Sequence, residues 1–300
     1  MAENIHDRFF KENFSRQDIA IDFVREFFPK HLVGKINLDT LTITNNSYTD
    51  PALDEYFADI VYTCNYQGET TIEVAILFEH KSYKEKYPHF QLLRYLLNRW
   101  EEARKQDQPL TLLIPVIIYH GKARWPYESL PTYFGSVDAN LMPFLPAFDY
   151  LLVDISRYPD EQILNFQNKF LATSLFLMKH RENEERLLAQ KERLFVWLEE
   201  IIDTETGENY LHTSIVYLSR NLELRPKEFF QSLFSFKRTS SKVMSTYDQI
   251  VAEGAERTLV VLLKTAHQQG IDITRLANQD YGLSKERVAT IVEKIKKGIL

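Results

Sequence analysis

The stretch Phe78-Glu79-His80-Lys81-Ser82 sets a carboxylate and an ammonium two residues apart at the end of an apolar run beginning near Ile72. Unpaired charge is costly in a protein core, so the run reads as a buried strand whose last residues emerge for another purpose. Alternation along a strand puts Glu79 and Lys81 on one face with Ala75 and Leu77; Ile72, Val74, Ile76 and Phe78 take the core-facing side. A second acid, Asp59, lies in the preceding run Phe57-Ala58-Asp59-Ile60-Val61-Tyr62. If Asn65-Tyr66-Gln67-Gly68-Glu69 turns through a three-residue loop centred on Gly68, Asp59 sits opposite Leu77, one diagonal step from Glu79. Another turn register moves it to the opposite face. Two carboxylates beside a lysine suit Mg²⁺, which takes a few hard oxygen ligands while keeping waters and a substrate phosphate. Such an ion acidifies bound water and stabilises phosphate charge, and a neighbouring lysine can orient that water. His80 points to the other face, which makes its side chain a poor ligand for the same ion.

The elements that must hold these residues follow from patterning. Residues 15–28 predict a helix with Ile19, Phe23 and Phe27 on one stripe, a capping box from Ser15 and Asp18, and a stop at Pro29. Leu38 to Thr44 alternates as a strand. Residues 88–105 predict an amphipathic helix opened by Pro88, with Phe90, Leu93, Leu97 and Trp100 on its apolar side and Gln91, Arg94 or Tyr95, and Asn98 along its polar side. Leu110 to Gly121 is a β-rich run interrupted by Pro115, and Tyr150 to Ile155 is another. Helix, strands, helix, strand is a mixed α/β order. Beyond about Asp160 the pattern is almost wholly helical. Lys237 to Lys242 has the composition of a linker, and Val251 to Leu300 reads as two or three short helices punctuated by Gly270 and Gly282. Ile273-Thr274-Arg275-Leu276-Ala277, the break at Tyr281-Gly282-Leu283, and Ser284 to Ala289 have the rhythm of helix-turn-helix; packing or dimerisation accounts for it as readily as DNA reading.

Asp59, Glu79-x-Lys81 and a helical Gln91 together resemble the D…(D/E)xK…Q signature of the PD-(D/E)xK nuclease superfamily. His6-Asp7 followed by Phe9 and Phe10, then Phe57 to Ile60, Phe78 to Ser82, and Pro115-Val116-Ile117-Ile118-Tyr119-His120-Gly121 followed by Trp125 resemble the bacterial recombination-promoting nucleases (Rpn), also labelled putative transposases. The likeness runs from about residue 6 to 157 and continues more weakly to Gly254. It implies a restriction-endonuclease-like α/β fold: a mixed central sheet flanked by helices, followed by a mainly helical C-terminal region. The implied organisation is a nuclease core over 1–160, a helical region completing or packing on it over 161–240, and a helical extension over 241–300. The implied activity is a divalent-metal-dependent DNA endonuclease that promotes recombination. Asp59 and Glu79 would hold Mg²⁺, or Mn²⁺ or Ca²⁺, with the backbone carbonyl of His80. Lys81 would be the catalytic lysine, and Gln91 would hold the lysine or a phosphate oxygen. Two departures stand out. Ala58 occupies the place of the superfamily's usual proline, and Lys81 stands where close relatives often carry glutamine.

Bland readings exist for the same residues. An exposed Glu79–Lys81 ion pair would be worth little; Asp7 suits a helix cap, His120 a structural hydrogen bond, and Lys84 and Lys86 either a phosphate edge or a solvated loop. The alternative function is a non-catalytic DNA- or protein-binding module on a nuclease-like scaffold, or a transposase, which would also need strand transfer. Composition bounds the rest. A single cysteine, Cys64, excludes an internal disulfide framework and any cysteine-rich zinc site. A net charge of −6 means that DNA, if bound, meets a local patch. With no long apolar window and no basic-then-apolar leader pattern, the cytoplasm is the expected compartment and a membrane is not an expected partner. Cutting both strands together needs two sites, which a symmetric homodimer supplies.

Overall fold

In the computed structural model, residues 5–44, 58–68, 70–79, 86–219, 225–277, 279 and 281–300 are described, residues 5–8, 58–59 and 75–79 by their backbone alone. The chain divides into two units, Met1–Leu194 and Phe195–Leu300. Among the described residues no helix is long and apolar enough to cross a membrane.

The first unit is built on a five-stranded sheet in the order β1 (Ile36–Thr44), β2 (Ala58–Tyr66), β3 (Thr70–Glu79), β4 (Leu112–Tyr119), β5 (Leu151–Asp154). β1, β2 and β3 pair antiparallel, and β3–β4 and β4–β5 pair parallel, so the sheet is mixed and helix-flanked, as the family resemblance implies. β2 and β3 form a hairpin closed at the Tyr66–Thr70 pair. Gln67 (φ 46°) and Gly68 (φ 98°) carry the chain through the left-handed region there, conformations that glycine adopts without a Cβ penalty. β4 contains Pro115, which cannot donate to a ladder. It is tolerated because β5 pairs only with Val116–Tyr119, leaving β4 an open edge at Pro115.

Both sheet faces are covered. On one lie α1 (Ile5–Phe14) and α2 (Gln17–Phe27), whose Phe10, Phe14, Ile19 and Phe23 are fully buried. Phe14 meets Phe10 and Phe23 ring to ring. The expected capping box is not formed. Ser15 instead closes α1 through its N–H on the Lys11 carbonyl, and Asp18 takes the Arg16 guanidinium at 3.0 and 3.1 Å. After α2 and the short α3 (Lys30–Val33), α4 (Pro88–Lys105) covers the other face between β3 and β4. Its limits match the sequence reading, but its buried stripe does not. Leu92, Tyr95, Leu96 and Ala103 go inward, whereas Phe90 and Leu97 are 49% and 53% exposed. The inward stripe also carries His89 and Arg99, which look like surface residues in a linear pattern and are buried only because each finds a partner.

The helices α5 (Asp160–Leu164), α6 (Lys169–His180) and α7 (Glu184–Ala189) complete the first unit up to α8 (Lys191–Phe195), in which the division falls. Asp160 ties them together, accepting from Lys179 and His180 at 2.8 Å and from Arg186 at 2.8 Å. Burial pushes its carboxyl up, but the three donors more than offset this and hold it below the usual carboxylate range.

The second unit is helical: α9 (Leu198–Ile201), α10 (Glu205–Leu218), α11 (Lys227–Leu233), α12 (Thr239–Gln268), α13 (Ile273–Leu276) and α14 (Lys285–Lys296). The expected linker at 237–242 runs straight into the 30-residue α12. The Glu199 carboxylate accepts from the N–H groups of Arg238 and Thr239, satisfying donors that a helix start leaves open. Gly270 and Gly282 do punctuate the end, each with positive φ. Ser284 caps α14 through the Arg287 N–H at 3.2 Å. Leu259, Leu263, Ile273, Val288, Ile291 and Ile295 form one core, which gives the helix-turn-helix pattern a packing role.

Candidate active site

The hairpin register brings the two acidic positions together. Asp59 pairs with Leu77, and Glu79 lies two residues further along β3. Positions 59, 77 and 79 therefore share a face of the sheet, the arrangement that a three-residue loop at Gly68 produces. His80 and Lys81 lie outside the described residues.

The same strand end gathers the other sequence motif. Glu79 pairs with Tyr119 of β4, and Tyr119 pairs with Asp154 of β5. Glu79 and Tyr119 thus end side by side at the carboxyl ends of parallel strands, where open α/β sheets bind ligands. The second motif is largely a packing device. Tyr119 is fully buried and meets Trp125 edge-on at 5.0 Å. A Cβ at Gly121 would fall on the Tyr119 phenol, so only glycine lets the chain turn there. The buried Asp154 accepts from the Trp125 N–H at 2.9 Å and from Ser156 N and Oγ at 3.1 and 2.5 Å, fixing the loop that follows.

α4 supplies the lid over this face. Its orientation is set near its far end, where Arg99 donates to both oxygens of the buried Glu73 at 2.9 and 2.5 Å. The Trp100 indole N–H reaches the Thr111 carbonyl at 2.9 Å. Gln91, near the start of the same helix, is half-buried. Glu73 and Arg99 also line a polar cavity of about 420 Å³ with Thr63, Thr71 and Gln106, towards the hairpin end of the sheet and away from Glu79. No sequence signal marked this pair, because an Arg twenty-six residues from a Glu has no periodic signature.

At the start of α4 lies a cluster that the patterning also missed. His89 is fully buried, its Nδ1 is 2.7 Å from the Tyr133 hydroxyl, and its ring meets Phe148 and Tyr150 edge-on. Burial pushes its imidazole below the ordinary value, against the pull of Asp149. Among the described residues no three His, Cys, Asp or Glu side chains are grouped to hold a metal.

The family described as "Putative transposase, YhgA-like" matches residues 4–209. The chain is similar to the recombination-promoting nuclease RpnD of Escherichia coli O157:H7, 32% identical over 179 residues covering 58% of this chain and 67% of the relative. It is 26% identical to the recombination-promoting nuclease RpnC of E. coli K12 over 251 residues, 81% of this chain and 79% of the relative. It is also 29% identical over 218 residues to the inactive recombination-promoting nuclease-like protein RpnE of the same strain, 71% of this chain and 69% of the relative. No solved structure matches.

Proposed function

Because the chain belongs to the YhgA-like putative transposase family, and its relatives include proteins named recombination-promoting nucleases, we propose that it is a divalent-metal-dependent DNA endonuclease promoting recombination. The observation that carries this reading is the register pairing Asp59 with Leu77, beside a β3 that ends in Glu79. Two carboxylates on adjacent strands, followed in sequence by a lysine, fit a hard divalent cation at a phosphodiester. In this reading Asp59, Glu79 and the His80 carbonyl hold Mg²⁺ or Mn²⁺. When bound, such an ion supplies Lewis-acid stabilisation of phosphate charge and a more acidic water.

The chain's own groups do the rest. The Lys81 ammonium orients the attacking water and offsets charge as the phosphorus becomes five-coordinate. Gln91, on α4, donates to a phosphate oxygen or steadies the lysine.

A second reading has its own support, since some relatives are named inactive: a nuclease-like scaffold that binds DNA or protein without cutting. Nicking of supercoiled plasmid by purified protein, in Mg²⁺, Mn²⁺, Ca²⁺ or chelator, separates the two. The endonuclease reading expects metal-dependent nicking that Lys81→Ala abolishes. Equal nicking by wild type and Lys81→Ala, or none by folded protein in any metal, overturns it.

A further inference from the structure

The outward face of α4's first turns has aromatic surface that the fold does not use. Phe90 is 49% exposed, although its helix already buries a full stripe on the other side. Around it stand Tyr87 at 5.6 Å and Tyr133 at 5.8 Å between ring centroids, and Tyr87 meets Tyr133 at 5.0 Å. The buried His89 holds the Tyr133 hydroxyl, which anchors that ring from beneath. Cations flank the cluster. The exposed Lys86 ammonium is 5.0 Å from the Tyr87 centroid, and Arg94, one turn beyond Phe90, is exposed on the same side. Asp149, whose charge is felt at His89, is engaged by the Tyr127 hydroxyl.

Lone surface aromatics are ordinary. Three rings in mutual contact between two cations, on a chain of net charge −6, are a specific local arrangement. Rings with flanking positive charge are how sequence-tolerant single-strand binders work: bases stack on the rings and phosphates meet the cations. A protein partner would want the apolar surface without the cations.

We propose that Tyr87, Phe90 and Tyr133, with Lys86 and Arg94, form a stacking platform for an unpaired base of single-stranded DNA. α4 begins nine residues after Glu79, so the platform lies close along the chain to the strand end that carries the candidate site. That the bound strand is delivered there as substrate rests on the nuclease reading; the binding does not. The platform would direct the protein to frayed ends, flaps or gaps rather than to intact duplex.

The test is fluorescence anisotropy of the full chain in chelator, where nothing is cut, with a labelled 20-nucleotide single strand and the matching blunt duplex. Phe90→Ala is expected to weaken single-strand binding by roughly 5- to 150-fold, the loss of one base stack, and to leave duplex binding unchanged. Phe90→Trp should retain affinity, and Arg94→Ala should lower the slope of log K against log salt by about 0.7. Unchanged single-strand affinity in Phe90→Ala overturns the proposal. So does an equal loss on both DNAs, or a dimer that dissolves in Phe90→Ala by light scattering. Because no cleavage enters the readout, a failed nicking assay and a failed platform are told apart.

Discussion

At the scale of single residues, the first unit is held by polar groups buried in pairs. Glu73 is 5% and Arg99 14% exposed at their side chains, and two hydrogen bonds join them between β3 and α4, towards the hairpin end of the sheet. Removing one member of such a pair leaves a desolvated charge, whereas removing both leaves only a packing problem. Arg99→Ala is therefore expected to destabilise the first unit by about 3–5 kcal/mol, read by urea unfolding followed through Trp100 and Trp125. Replacing both residues, as Glu73→Met with Arg99→Leu, should recover most of that loss. If the double variant is as unstable as the single, the deficit is lost packing and not an orphaned carboxylate. Gly121 belongs to the same scale, because the Tyr119 ring occupies the place of its missing side chain.

At the scale of elements, α4 carries apolar residues on two faces and only contacts reveal which one is inside. Leu92 is fully buried against the sheet and Leu97 is 53% exposed. Leu92→Ala should cost about 2–5 kcal/mol as a cavity-forming change, and Leu97→Ala should stay within about 0.5 kcal/mol as a surface one. Thermal unfolding of the two variants in parallel checks the assignment, and the opposite order would mean that the helix is rotated. The hairpin is the second element on which the site depends. Its turn sets the register, and a slip of one residue would move Asp59 to the other face.

For the whole molecule, folding and metal binding should be linked if two distant chain positions share one ion. A ligand that binds only the folded chain adds about 2.7 kcal/mol at one hundred times its Kd, which for a unit of this size raises Tm by roughly 5–10 °C. Mg²⁺ or Mn²⁺ is expected to produce such a rise in the wild type and little or none in Glu79→Gln; an equal rise in both would put the ion elsewhere. By itself the sequence determined the strand hairpin, the limits of α4, the mixed α/β order and the helical tail, because period-two and period-3.6 patterning and a turn glycine are local signals. The Asp59–Leu77 register was legible for the same reason, being counted from one turn. Only the tertiary structure decided that His89 and Arg99 face inward and Phe90 and Leu97 outward, that residues 239–242 belong to a long helix, and that the glycine of Tyr119-His120-Gly121 makes room for the tyrosine. Three of these depend on a partner far along the chain: Tyr133 for His89, Glu73 for Arg99, Glu199 for the start of α12. A buried polar residue is indistinguishable from a surface one until its partner is found, and that partner is chosen by packing.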